Sequence, residues 1–233
     1  NFIRLVNIKS TISLCESKRH QIIFRFRNFF WFVCIISALL SFYFFVTISE
    51  YIFLPILVLG CVSVIYGLPI YKNKSHLFRL RDVPGLKIFL IAFVWAYVTE
   101  GFPALIIGEP LYYLAIFERF LFIFAITIPF DIRDVNYDSP YLATIPQSFG
   151  ITTAKWIALF AILLSELILF YRLFFNNDLN FVGALSIYIT YEFSFLLIYR
   201  CHLYSKERYF TLGVEGMCIL IGVLFFFSQR CCG

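Results

Sequence analysis

Apolar residues in this chain come in long unbroken runs. Stretches such as "FLFIFAITI" and "LFFFS" show neither strict alternation nor a polar stripe. A run of about 20 residues that is apolar all round has the length of an α-helix crossing a bilayer. The pattern predicts seven spans, at roughly 28–48, 51–70, 87–106, 111–130, 153–173, 179–198 and 209–228. A membrane β-barrel would need alternating polar and apolar residues, which these runs lack. The expected fold is all-α, a polytopic transmembrane helix bundle. A basic segment at 1–27 precedes a single helical membrane domain over 28–230. Pro55 and Pro69 fall near the ends of the second run, where proline is easiest to tolerate.

Composition agrees with the pattern. The chain is 61% hydrophobic and 14% charged, against about half and about a quarter in soluble domains. That is more apolar surface than one globular core can hide. The expected partner is the lipid of a membrane, not nucleic acid. Seven cysteines are scattered, several inside apolar runs, at spacings that suit no metal site. They read as small hydrophobes.

Charge orients the bundle. Arg4, Lys9, Lys18, Arg19, Arg25 and Arg27 precede the first span. Lys72, Lys74, Arg79, Arg81 and Lys87 fall between the second and third. Arg133 and Lys155 lie between the fourth and fifth, and Arg200, Lys206 and Arg208 between the sixth and seventh. The other side holds Arg172 and Arg230. The positive-inside rule then places the N-terminus of this chain and the cation-rich loops in the cytoplasm.

On that same side three carboxylates follow an apolar run: Asp131, Asp134 and Asp138 in "PFDIRDVNYDSP". Their i, i+3 and i+7 spacing puts them on one helix face, where like charges repel. The C-terminal end of the helix dipole adds to the cost. A divalent cation would reverse both terms. Hard oxygen ligands suit Mg²⁺, which takes one or two carboxylates together with substrate phosphates. An ordinary polar turn would explain the same residues.

The longer stretch "FDIRDVNYDSPYLATIPQSFGITTAK" resembles the second aspartate-rich motif of the UbiA family of intramembrane prenyltransferases. The matching positions are Asp131, Ile132, Asp134, Asp138, Thr144, Ile145, Pro146 and Gly150. Upstream, "IYGLPIYKNKSHLFRLRDVPGLKIFLIAFVWAYVT" resembles the tyrosine-plus-basic loop of that family and the span after it. The resemblance covers about 60–233, and more loosely 18–60. It implies a nine-helix bundle of which these seven spans are the last seven. It implies transfer of an isoprenyl group from a prenyl diphosphate to an aromatic or other lipid-soluble acceptor. Mg²⁺ would be held by Asp131, Asp134 and Asp138, and the diphosphate by Lys72, Lys74, Arg79 and Arg81, with Tyr66 orienting substrate.

The first aspartate motif of the family does not occur before the first span, where Glu16 is the sole acid. The stretch "SKRHQ" looks like divergent bacterial relatives in which that motif is degenerate, which implies a bacterial cytoplasmic membrane. Because the chain opens on Asn1, two further helices are expected upstream in a longer protein. Two other readings stay open: a non-catalytic UbiA-like membrane protein, and a small polytopic transporter. Ionisable groups inside spans, Glu118, Arg119, Glu166 and Glu192, keep the transporter in view. Glu118 and Arg119 are expected to make polar contacts with another helix, while Glu100 and Glu109 read as outer-loop residues. His20, His76 and His202 show no metal spacing.

Overall fold

The computed structural model describes residues 26–47, 50–67, 69–73, 76–79, 83, 85–108, 112–136, 143–176 and 179–232. The chain divides into two compact units, Asn1–Arg79 and Leu80–Gly233.

In the first unit, helix α1 spans Arg27–Thr47 and helix α2 spans Glu50–Gly67. A two-stranded antiparallel hairpin follows, with β1 at Pro69–Asn73 and β2 at His76–Arg79. It pairs Asn73 with His76, Lys72 with Leu77 and Tyr71 with Phe78. The second predicted span, 51–70, is therefore too long. Its last residues leave the helix after Gly67 and enter β1 at Pro69. Glycine favours a helix end, and proline beyond it cannot continue the backbone ladder.

The second unit is a helix bundle. Helix α3 (Leu86–Ala96) continues through a π-helical turn (Tyr97–Gly101) into α4 (Phe102–Ile107). Helix α5 spans Tyr113–Asp134, and a short α6 spans Ile145–Phe149. Helix α7 (Ile151–Tyr171) ends in a second π turn, Arg172–Asn176. Helix α8 spans Phe181–Arg200, with the Asn180 side chain accepting from the Gly183 N–H at 2.7 Å as its cap. A third π turn, Tyr209–Val214, leads into α9 (Gly216–Cys232).

Helix α5 is the centre of this unit. It packs on α3 and on α7, and α8 lies between α7 and α9. Of its apolar window 56% is buried, against 17% for the span that begins with α3. Alanines at 92, 96, 125, 154, 158, 161 and 184 are all buried. Small residues at these positions let helices approach closely, the main source of packing where lipid surrounds the bundle. Phe122, Ile128, Ile132, Ile162, Tyr191 and Phe210 fill the remaining core.

Among the described residues five helices are long and apolar enough to cross a membrane: Leu86–Ile107, Tyr113–Asp134, Ile151–Asn176, Phe181–Arg200 and Tyr209–Phe227. These match the last five predicted spans. The first two predicted spans fall on α1 and α2, which carry the apolar stretches Asn28–Tyr43 and Phe53–Tyr66 among the described residues.

Candidate functional site

The turn that follows α5 explains much of the motif around the aspartates. Thr144 is the N-cap of α6, and the Gln147 side-chain oxygen accepts from the Thr144 backbone N–H at 3.1 Å, half of a capping box. Pro146 occupies the first turn of α6, where its missing N–H costs nothing. Gly150 joins α6 to α7 with φ 84° and ψ 158°, backbone that residues with a Cβ rarely adopt. The T-I-P and glycine positions thus build a tight corner that starts α7 beside the end of α5.

At this corner Asp131 is 1% exposed and accepts from Lys87 Nζ at 2.8 Å. Lys87 stands in the first turn of α3, after Gly85, whose positive φ of 72° opens the helix. Helix N-termini favour anions, so Asp131 gains from the α3 dipole as well as from Lys87. Lys87, Asp131, Gly85, Thr144 and Ile145 line a recess with room for about one water molecule. The Thr144 hydroxyl there is buried and completes no hydrogen bond of good geometry.

Asp134 has a different setting. It is 30% exposed and is gripped by its neighbour Arg133, with Nε on Oδ1 at 2.6 Å and Nη2 on Oδ2 at 2.8 Å. The Arg133 guanidinium lies 5.3 Å from the ring centres of both Phe130 and Phe210, and 3.6 Å from Glu207. Asp131 and Asp134 are thus both matched by cations of the same unit. Among the described residues no three His, Cys, Asp or Glu side chains are grouped to hold a metal ion.

Of the other site residues read from the sequence, Lys72 and Arg79 fall on the strands of the hairpin and Tyr66 on the last turn of α2, all in the first unit. Lys74, Arg81, Asp138 and the outer-loop Glu109 lie outside the described residues. Sequence reasoning counted Lys87 only as one of the loop cations. Its place two residues into α3, level with the foot of α5, was the available signal.

An aromatic ladder rises from the aspartate end. Phe117, Phe120 and Phe124 on α5 stack in order at 6.2 and 6.3 Å, and Phe89 of α3 sits 5.2 Å from Phe124. Asp131 is seven residues beyond Phe124 and therefore lies about 20° from it around the helix. Charge and ladder share one stripe of α5.

A second polar cluster is buried toward the opposite end. Glu118, 1% exposed, accepts from Arg172 Nη1 at 2.5 Å and from the Tyr191 hydroxyl at 2.7 Å. Arg119 donates to Glu100. The expected interhelical contact of Glu118 and Arg119 is therefore present. Glu100 does not stand in a loop: it belongs to the π turn within the Leu86–Ile107 span, held there by Arg119. Arg172, counted as a cation of the opposite side, is likewise buried within the bundle.

No protein-family model, curated protein or solved structure matches this chain.

Proposed function

We propose that this chain is a UbiA-like intramembrane prenyltransferase, which moves an isoprenyl group from a prenyl diphosphate to a lipid-soluble acceptor. One observation carries the reading: a charged corner built from Lys87, Asp131, Arg133 and Asp134 stands at the foot of the Phe117–Phe120–Phe124 ladder. A substrate with an anionic head and a long apolar tail matches that order of surfaces. The seven-span arrangement, with α1 and α2 as the first two spans and the aspartate end in the cytoplasm, belongs to this proposal. It draws support from Lys87, Arg133, Lys155 and Arg200, which gather at the aspartate end of the helices.

In this reading Lys87 and Arg133 meet the diphosphate; the role of Lys72, Lys74, Arg79 and Arg81 in holding it rests on the family resemblance of the basic loop. Asp131 acts through Lys87, holding the ammonium at the end of α3. Asp134, the accessible carboxylate, and Asp138 would hold Mg²⁺, which needs only one or two carboxylates beside phosphate oxygens. Bound Mg²⁺ would supply neutralisation of the leaving diphosphate. The aromatic faces of the ladder would steady an allylic cation and exclude water.

The test is binding of a radiolabelled prenyl diphosphate to the protein in nanodiscs, with and without Mg²⁺. Asp134→Ala and Asp138→Ala are expected to weaken Mg²⁺-dependent binding about tenfold or more, the loss of one charge-assisted ligand. Equal binding by all three proteins would remove the assignment. The cation matched to each described aspartate also favours a second reading, a UbiA-like protein without metal chemistry. That reading expects binding that ignores Mg²⁺.

A further inference from the structure

Glu166 and Glu192 have no part in the site above, yet they stand at the middle of the membrane spans. Glu166 lies 10 residues from Asn176 at the end of its span, and Glu192 lies 11 residues from Phe181 at the start of the next. At 1.5 Å per residue these depths are about 15 and about 17 Å, so the two carboxyl groups are level on adjacent antiparallel helices. Phe170, one turn from Glu166 on α7, packs on Tyr188, one turn from Glu192 on α8, with ring centres 5.7 Å apart, so both carboxyl groups belong to the α7–α8 seam. Glu166 is 8% exposed and makes no hydrogen bond among the described residues. Glu192 faces outward and accepts from the Tyr188 hydroxyl, one turn earlier on α8, at 2.5 Å.

Among the described residues no cation is paired with either carboxylate. The other titratable group at this seam among the described residues is Tyr188, packed on Phe170 and donating to Glu192. The arginines of the neighbouring spans are engaged elsewhere, Arg172 by Glu118 and Arg119 by Glu100. A single carboxylate at the bilayer centre is costly, and two adjacent ones repel as well. The environments of the two also differ. Glu192 accepts a hydrogen bond from Tyr188, and among the described residues Glu166 accepts none.

We propose that Glu166, Glu192 and Tyr188 form a proton-binding site at mid-membrane, in which two carboxyl groups hold one proton, resident on Glu166 while Glu192 accepts the Tyr188 hydroxyl. This proposal is independent of the prenyltransferase reading, because it uses none of the residues assigned there.

Dicyclohexylcarbodiimide tests it, since this reagent modifies protonated carboxyl groups in apolar surroundings. The protein in liposomes is expected to carry the adduct on Glu166 at neutral pH, with labelling lost as pH rises. Glu192→Gln is expected to move the midpoint of that loss downward by about one pH unit or more, because the neighbouring charge is gone. Tyr188→Phe is expected to shift part of the label to Glu192. An unchanged midpoint in E192Q overturns the shared site. A reagent-free measurement covers poor access: the infrared C=O band of a protonated carboxyl group should be lost in E166Q and kept in E118Q. No such difference at neutral pH overturns the proposal outright.

Discussion

Lys87 and Asp131 are 44 residues apart in sequence and 2.8 Å apart in the fold. Asp131 is buried and Lys87 is partly open, so removing the lysine takes a charge-assisted bond from a carboxylate in the interior. Lys87→Ala is expected to cost about 3 kcal/mol or more of stability, whereas the double change Lys87→Met, Asp131→Leu should cost much less. Thermal unfolding in detergent distinguishes the two. Cys201 allows a second check at the same scale. Burial pushes its thiol up to about 11 from an ordinary value of 9, opposed by the nearby Lys155. The neutral thiol is thus the form the fold prefers. Its contribution to stability is full below pH 9 and is lost as pH rises toward 11. Alkylation of Cys201 in mild alkali should run about 100-fold slower than that of an ordinary thiol, as followed by mass spectrometry. The aspartates themselves were legible from spacing and surroundings. Their cations were not, because the partner of Asp131 is set by how α3 packs on α5.

At the scale of elements, the corner from Thr144 to Gly150 was readable and the hairpin was not. Thr, Pro and Gly each carry a backbone preference of their own, so their order already describes a capped helix start and a left-handed joint. Gly150→Ala is expected to cost about 1–3 kcal/mol, since its backbone conformation belongs almost wholly to glycine. Asn180→Ala removes the cap of α8 and should cost about 1 kcal/mol. Chemical denaturation of the purified protein measures both. The hairpin had no Asn-Gly or Asp-Gly signal between its strands, and its lysines and arginines read simply as a loop. The three π turns were equally hidden, because one extra residue per turn leaves no mark on an apolar run.

For the whole molecule, the polytopic helical character follows from composition and run length alone. The number of crossings is less direct: seven apolar runs are expected, and five helices among the described residues are long and apolar enough to cross. The arrangement of the second unit makes a topological prediction. Residues 135–144 and 201–208 should be reached by an impermeant thiol reagent from one side of the membrane, and residues 177–180 from the other. Single cysteines placed there in a cysteine-free background report the answer. The Glu118 cluster adds a consequence for synthesis. Its partners Arg172 and Tyr191 follow it by 54 and 73 residues. When α5 leaves the ribosome, neither partner exists, and a lone carboxylate within a span opposes insertion by about 2.5–3.5 kcal/mol. Helix α5 must therefore wait, shielded by the insertion machinery, until α7 and α8 arrive to enter the bilayer with it. Nascent chains stopped before Arg172 should leave α5 easily extracted by alkali, while chains extended past Tyr191 should hold it fast.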